Sequence, residues 1–258
     1  MFNMSDHEIR TTSFSRMFPR IKDSIKRREK AGKIKFILNN YANIDFENSI
    51  CLDIGCSTGA ITQELADMFK SIIGIEYDID ALFIGNSINK NATNKINLVN
   101  ADGMNLPIKN EKIDVIICSQ VYEHVPDDFT LAEEMYRVLK PNGVIFFSGP
   151  NKSFPFEFHY KLPFIHWLPR KMENYILRKI GNGNKLYERI KRKKELLEVF
   201  KGFYIQDLSI EVVQYYAKNK KLMRALLKIF PIAILRKYSC WVPNFNWLIR
   251  KNSAAYLS

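Results

Sequence analysis

Three short segments carry the residues best placed for chemistry, and each follows an apolar run. In the first, CLDIGCSTGA at 51–60, Gly55 and Gly59 bracket a Cys-Ser-Thr turn. Such a turn directs backbone N–H groups and the start of a following helix toward a ligand. The turn lacks the middle and third glycines of G-x-G-x-x-G, and no Lys follows Gly59 as a P-loop requires. A nucleotide phosphate is therefore a poor match for it.

Acidic residues mark the ends of three successive apolar runs. Asp53 lies two residues before Gly55, Glu76 ends the second run and Asp102 follows the third. An acid about 20 residues after such a turn suits the two hydroxyls of a ribose. Asp102 could accept from the exocyclic amine of an adenine, and Asp53 from a cationic amino acid group. Together the three acids predict an adenosine with an aminoacyl tail, which is the chemistry of S-adenosylmethionine.

Strand-like and helix-like patterns alternate along residues 50–151. The apolar runs are SICLDI, SIIGIEYD, INLVNAD, IDVIICSQ and GVIFFSGPN. The helical patterns are GAITQELADMF, DALFIGNSINKN and DDFTLAEEMYRVLK, the last of them ended by Pro-Asn-Gly at 141–143. This alternation predicts an α/β fold with a parallel sheet and helices on both faces. Ligands of such sheets bind beyond the carboxyl ends of the strands, where the acids lie.

These motifs resemble the class I S-adenosylmethionine-dependent methyltransferases of the type 11 group, which includes ubiquinone- and menaquinone-biosynthesis-like enzymes. The matching segments are CLDIGCSTGAIT, IIGIEYD, NADGMNLPIKNEKIDVIICSQVYEHVPD and LKPNGVIFFSGPN. The resemblance implies a Rossmann-like, doubly wound, seven-stranded, mostly parallel sheet. Its last strands are expected at 203–213 and 245–250, the final one antiparallel. It also implies a methyl transfer reaction with S-adenosylmethionine as the methyl donor.

The same resemblance implies which residues hold the cofactor. These residues are Asp53, Gly55, Cys56, Ser57 and Gly59 in the first motif, Glu76 and Tyr77 toward the ribose, Asp102, Gly103 and Met104 toward the adenine, and Ser119 and Gln120 toward the methionine. One position departs from the pattern, because the family more often has Gly where this chain has Ser57. Cys56 is interpreted as a small residue of the turn rather than a nucleophile, and Cys118 as a core residue.

His124 is the candidate catalytic residue. Methyl transfer is an in-line displacement from a sulfonium, and the acceptor often needs a base to remove its proton. His124 follows the fourth strand, and the pKa of an imidazole suits a base near neutrality. The alternative is that His124 only holds its loop in place. His159 and Tyr160 are weaker candidates for the same role.

The chain is expected to be organised as a helical N-terminal cap at 1–35 and a methyltransferase domain at 36–258, with a substrate lid inserted at 152–200. The lid contains FPFEFHYKLPFIHWLPR, which has too many aromatic residues for all of them to be core. They predict a roof over the active site, an apolar surface that enters an anionic membrane beside the basic segment RIKRKKELLEVF, or a platform for stacking bases. The remaining interpretation is a lid packed on the core with solvated lysines.

The charge distribution and the cysteine content limit which binding partners and which cellular compartment are expected. Residues 1–35 and 151–258 carry net charges of +6 and +15, whereas 36–150 carries −9. Such asymmetry is typical of proteins that meet phosphates, although solvated lysines explain it equally well. The four cysteines form no CxxC pair and have no zinc-ligand spacing, so no metal and a cytoplasmic location are expected, with peripheral contact to a membrane as an addition. The N-terminus lacks the apolar core of a signal peptide.

Three functions follow as hypotheses. The first is methylation of a small or lipid-linked acceptor, such as a quinone, isoprenoid or lipid-carried glycan, at a membrane surface. The second is RNA methylation through the basic flanks, weakened because the motifs for base methylation are missing from ICSQ and SQVYEHV. The third is a protein that binds S-adenosylmethionine without catalysis, for which Ser57 is the supporting residue.

Overall fold

The computed structural model describes residues 24–88, 95–157, 162–179, 189–219 and 242–252. The strands are β1 Ile50–Ile54, β2 Ser71–Glu76, β3 Ile96–Asn100, β4 Ile113–Ser119, β5 Leu139–Pro150, β6 Phe156–Glu157, β7 Leu162–Pro163, β8 Phe203–Asp207 and β9 Asn244–Lys251. The α-helices are α1 Ser24–Ile37, α2 Ala60–Leu65, α3 Ile79–Ile88, α4 Asp128–Val138, α5 Arg170–Lys179, α6 Lys193–Val199 and α7 Ser209–Asn219.

Seven of these strands form one sheet in the order β3-β2-β1-β4-β5-β9-β8. The neighbours among β1 to β5 pair in parallel, and β9 pairs antiparallel with both β5 and β8. The predicted seven-stranded, mostly parallel sheet with an antiparallel final strand is therefore confirmed. The order reverses between β1 and β4, and such a switch point creates the crevice in which α/β sheets bind ligands.

Both faces of the central strands β1, β4 and β5 are buried, which explains why these strands are nearly continuous apolar runs. Along β5, Val144 and Phe146 join the core cluster under α1, α2 and α7, whereas Ile145 and Phe147 join the cluster under α4 and α6. All four side chains are fully buried. Helices on both faces contribute apolar residues to these clusters, for example Ile34 and Ile37 of α1.

Two predicted boundaries were wrong. The strand expected at 203–213 ends at Asp207, and α7 begins at Ser209, because the Asp207 carboxylate accepts the Ser209 N–H at 3.1 Å and Leu208 and Val212 are buried one helical turn apart. The helix that was expected to run to Pro-Asn-Gly at 141–143 ends at Val138. The Pro-Asn-Gly residues belong to β5.

The end of the predicted lid also belongs to the core. Helix α6 lies within the expected range 152–200, but Leu196, Val199 and Phe200 pack into the cluster on one face of the sheet. The rest of the described lid consists of the β6–β7 hairpin, a 3₁₀ turn at Ile165–Trp167 and α5. The aromatic residues at 158 and 160, and His159, lie outside the described residues, as do residues 1–23 of the predicted cap. Within the ranges described, no helix is long and apolar enough to cross a membrane.

Candidate cofactor site

The turn between β1 and α2 adopts a backbone that favours glycine at three of its five residues. Gly55, Ser57 and Gly59 have φ angles of 68°, 54° and 71°. The N–H groups of Gly55 and Cys56 both donate to the Ile75 carbonyl of β2, at 2.8 and 3.1 Å. The turn is thus pinned to the neighbouring strand, and Ser57 bears a conformation that costs a non-glycine residue about 1–2 kcal/mol.

Glu76 connects the turn to the end of β2. Its Oε2 accepts the Ser57 N–H at 2.8 Å, and its Oε1 accepts the Asp78 N–H at 2.9 Å. Burial raises the pKa of this carboxyl, and the two backbone hydrogen bonds oppose that rise. Both oxygens keep acceptor capacity, because a carboxylate oxygen has more than one acceptor position. The geometry suits an acid that holds a diol while it fixes the turn.

Asp53 is enclosed beneath the turn. Thr62 Oγ1 of α2 donates to Asp53 Oδ2 at 2.6 Å, and only 4% of the Asp53 surface is exposed. Burial raises the pKa of Asp53 to about 7, the Thr62 hydrogen bond and the Arg27 guanidinium lower it, and Glu76 raises it. A buried carboxyl of this kind gains most from a nearby positive charge, such as the amino group of an aminoacyl ligand.

The residues predicted to face the adenine lie after β3. Asp102 Oδ1 accepts the Met104 N–H at 2.9 Å, which closes a tight turn over Gly103. A Cβ at Gly103 would approach Ile54 Cγ2 to 3.0 Å, so the turn packs closely on the end of β1. Asn100 Nδ2 donates to the carbonyls of Glu76 and Tyr77, and thereby ties the ends of β2 and β3 together.

The end of β4 carries the residues predicted to face the methionine. Gln120 has a left-handed φ of 61°, and its N–H donates to the Ser148 carbonyl of β5 at 2.7 Å. Ser119 pairs with Ser148 in the sheet register. In the next loop, His124 Nε2 lies 3.9 Å from Oε1 of the buried Glu123, and the His124 side chain is one-third exposed.

The predicted cofactor residues thus occupy the carboxyl ends of four adjacent strands, β3, β2, β1 and β4. Their individual roles stay predictions. The acids at these ends sit where an adenosine with a cationic tail would be bound, so the residues present fit S-adenosylmethionine. Sequence reasoning missed Thr62 and the basic residues Arg27, Lys30 and Lys33 on α1. Their spacing of three places the basic residues on one face of the helix, but it does not indicate that this face is buried.

Comparison with known proteins adds the decisive observation. The sequence profile of the family described as "Methyltransferase domain" matches residues 52–147, from β1 to the middle of β5. Residues 52–147 match a methyltransferase domain. This match covers all the predicted cofactor residues, from Asp53 to Gln120, and the predicted resemblance is confirmed.

Relatives and solved structures extend the match beyond this domain. A ubiquinone biosynthesis O-methyltransferase of Hydrogenovibrio crunogenus is 30% identical over 110 residues, which cover 42% of this chain and 45% of that protein. A protein of the same name from Histophilus somni is 28% identical over 152 residues, covering 57% of this chain and 60% of that one. The chain therefore matches about half of the length of these relatives.

The fold is shared with distant methyltransferases. Geranyl diphosphate methyltransferase, solved in complex with GPP and sinefungin, superposes with a TM-score of 0.54 at 15% identity, over 85% of this chain and 76% of that one. The same enzyme has been solved in complex with SAM. At this identity the likeness concerns the fold of the methyltransferase domain.

The thiols of the methyltransferase domain are unsuited to nucleophilic attack. Burial raises the pKa of Cys56 and of Cys118, and Asp53 and Glu76 raise that of Cys56 further. A thiol is reactive as the thiolate, so both groups are inert near neutral pH. Cys118 belongs to the core cluster, as expected, and Cys56 fills the space above Gly74.

Proposed function

We propose that the protein is an S-adenosylmethionine-dependent methyltransferase that acts on an oxygen of a small or lipid-linked acceptor. One observation carries the cofactor assignment: Glu76 holds the left-handed turn at Ser57 with one oxygen and the chain after β2 with the other. This arrangement presents a carboxylate and a glycine turn to the same crevice. It suits a ribose hydroxyl pair beside an uncharged linkage better than it suits a pyrophosphate.

Each part of the site would have a separate task. When bound, S-adenosylmethionine supplies a methyl group activated by a sulfonium. Glu76 would hold the ribose, the turn after Asp102 would hold the adenine, and the end of β4 would orient the methionine. His124 is exposed enough to meet an acceptor and lies in the loop after β4, so it is the first residue to test as a base.

The nature of the acceptor is inferred from the names of the relatives and from the lid. The two relatives described above are named as O-methyltransferases of ubiquinone biosynthesis. Ubiquinone is a lipid with a long apolar tail, and an enzyme for such an acceptor needs access to a membrane. An oxygen atom on a lipid-linked acceptor is therefore the proposed target.

The lid offers an apolar surface for such access. Phe164 and Trp167 are 52% and 44% exposed, and their ring centroids are 5.0 Å apart. Met172 and Tyr175 on the next helix are also exposed, and Lys179 Nζ lies over the Tyr175 ring. Aromatic side chains beside lysines suit the interface of an anionic membrane. We propose that this face of the lid touches the membrane from which the acceptor is taken.

Calorimetric titration tests the cofactor. The wild type is expected to bind S-adenosylmethionine, and Glu76→Gln is expected to bind it about 10- to 100-fold more weakly, because a hydrogen bond to a charged group contributes about 1.5–3 kcal/mol. Asp67→Asn, which changes an exposed acid in the turn after α2, is the matched control and should bind like the wild type. Failure of the wild type to bind would overturn the proposed function.

Cosedimentation with vesicles of phosphatidylglycerol and phosphatidylcholine tests the acceptor side. Phe164→Ser combined with Trp167→Ser should lower vesicle binding by tenfold or more, since each ring buries apolar area on insertion. The control is Phe83→Ser on α3, where an aromatic ring is 66% exposed outside the lid. Equal losses for both variants would contradict the lid as the membrane contact. Tight binding of RNA in gel shifts without binding of vesicles would favour RNA methylation.

Transfer of a labelled methyl group separates catalysis from binding. Labelled S-adenosylmethionine is incubated with lipid, RNA and small-molecule fractions of a bacterial extract. Label is expected in the lipid fraction. Cofactor binding without transfer to any fraction would support the non-catalytic hypothesis.

A further inference from the structure

Helix α1 directs a row of basic residues at the carboxyl edge of the sheet. Arg27, Lys30 and Lys33 are three residues apart, so they lie along one face of the helix. The charge of Arg27 contributes to lowering the pKa of Asp53 at the end of β1. Burial and Arg27 lower the pKa of Lys30, and Glu123 in the loop after β4 opposes that change. Lys33 lies deepest of the three.

Lys33 is buried against β5. Only 8% of its surface is exposed, its Nζ donates to Ser148 Oγ at 3.2 Å, and it lies 5.5 Å from the centroid of the Phe146 ring. Ser148 Oγ in turn donates to Asn246 Oδ1 of β9 at 3.1 Å. The Lys33 hydrogen bond is therefore to a neutral hydroxyl and not to a carboxylate.

Two hydrogen-bonded routes connect Lys33 to Gln120. The backbone carbonyl of Ser148 accepts the Gln120 N–H, so one residue contacts both. Gln120 Nε2 also donates to Asn244 Oδ1 at 3.4 Å, and Asn246 Nδ2 donates to the Asn244 carbonyl at 3.1 Å. Lys33 thus belongs to a buried polar network whose other end is the residue proposed to face the methionine.

The surroundings of Lys33 favour an uncharged amine. Burial and, to a smaller extent, the positive charge of Lys30 together lower the pKa of Lys33 to about 7. Tyr215 and Tyr216 of α7 lie beside α1. The Tyr215 ring stacks on the ring of Phe36 of α1. Burial and the charge of Glu29 of α1 raise the pKa of Tyr216. Near pH 7, Lys33 is therefore divided between its charged and uncharged forms.

We propose that Lys33 is a positioning residue that distinguishes the methyl donor from the spent cofactor by charge. The inference rests on the proposed function. S-adenosylmethionine carries a sulfonium, whereas S-adenosylhomocysteine has a neutral sulfur and is otherwise the same ligand. A positive charge at the methionine end of the site favours the uncharged amine, so binding of the donor expels a proton from Lys33 to solvent. Binding of the product expels none from this group.

Proton release can be measured without any acceptor. The titration calorimetry of each ligand is repeated at pH 7 in phosphate and in Tris, whose ionisation enthalpies differ. A fall of one unit in the pKa of a half-protonated amine releases about 0.4 proton. We expect the donor to release about 0.3–0.5 proton more than the product. Proton release from Asp53 or Glu76 that is caused by the amino group of the ligand is common to both ligands and cancels in this difference, and any release that the sulfonium causes at these acids persists in Lys33→Met.

Variants assign the difference to Lys33. Lys33→Met should abolish the excess proton release. Lys33→Arg keeps its positive charge, so it should also abolish the excess release. In Lys33→Arg, the affinity for the donor relative to that for the product should be about tenfold lower than in wild type. Lys26→Met, on the exposed side of α1, is the matched control and should leave the excess unchanged. An excess that persists in a folded Lys33→Met variant, or equal release by both ligands in wild type, overturns the inference. Absence of binding by either ligand would instead refute the proposed function.

Discussion

Replacing Gly55 by alanine is expected to destabilise the protein by two separable effects. The residue has a φ of 68°, which costs an alanine about 1–2 kcal/mol. A Cβ at this position would also lie 2.6 Å from Val121 Cγ2, in the loop after β4. Crowding of this kind adds about 1–3 kcal/mol, so we expect a total loss of about 2–5 kcal/mol in the free energy of unfolding. Urea denaturation with an unchanged m value measures it.

A second glycine isolates the crowding contribution. Gly202 has a φ of 97°, but no atom lies within 4 Å of a Cβ built on it. Gly202→Ala should therefore lose only the backbone contribution, about 1–2 kcal/mol. In a double-mutant cycle, Val121→Ala should recover about 1–3 kcal/mol of the Gly55→Ala loss. Equal losses at the two glycines, with no coupling to Val121, would refute the reasoning.

Three further predictions concern the groups around the site. Asp53→Asn should become more stable than wild type as the pH rises from about 4 to about 7 and should keep that gain at higher pH. The reason is that folded wild type keeps a proton on Asp53 that the unfolded chain loses near pH 3.8. A gain that is independent of pH, measured from urea midpoints, would contradict this. Asp127→Ala should cost about 1 kcal/mol in thermal unfolding, since Asp127 Oδ1 caps the N–H groups of Phe129 and Thr130; an unchanged Tm would show that the cap is dispensable. Arg137→Lys should cost about 1–3 kcal/mol in urea, because a lysine cannot replace the guanidinium contacts to the Leu106 and Ile108 carbonyls, and full stability of this variant would contradict the assignment.

The strands of the parallel part of the sheet were predictable because the apolar sequence of each strand itself indicates its burial. Runs such as IDVIICS are apolar on both faces, and the structure buries them on both faces. The acids that follow them were predictable for the same reason, since a strand end and its next residue are neighbours in the chain. The start of α7 was missed because SIEVV is rich in β-branched residues, and the carboxylate of Asp207 starts a helix there in spite of that composition.

The basic face of α1 was not predictable in the same way. Lysines and arginines among charged neighbours usually indicate a solvated helix, and nothing local distinguishes Lys33 from Lys35. Lys33 becomes buried only because α1 packs on β5, and its partner Ser148 is 115 positions away. A contact at that separation is set by the topology of the sheet and not by the pattern around either residue.

The position of β9 sets an order of events during synthesis. This strand pairs with β5 on one side and with β8 on the other, yet it follows β8 by nearly 40 residues. While the ribosome makes residues 208–243, β8 has no strand with which to pair and the edge of β5 is open. An unpaired edge of this kind is a place where chains associate with one another. The stage at which the nascent chain most needs protection thus falls late, after the entire cofactor site has left the ribosome.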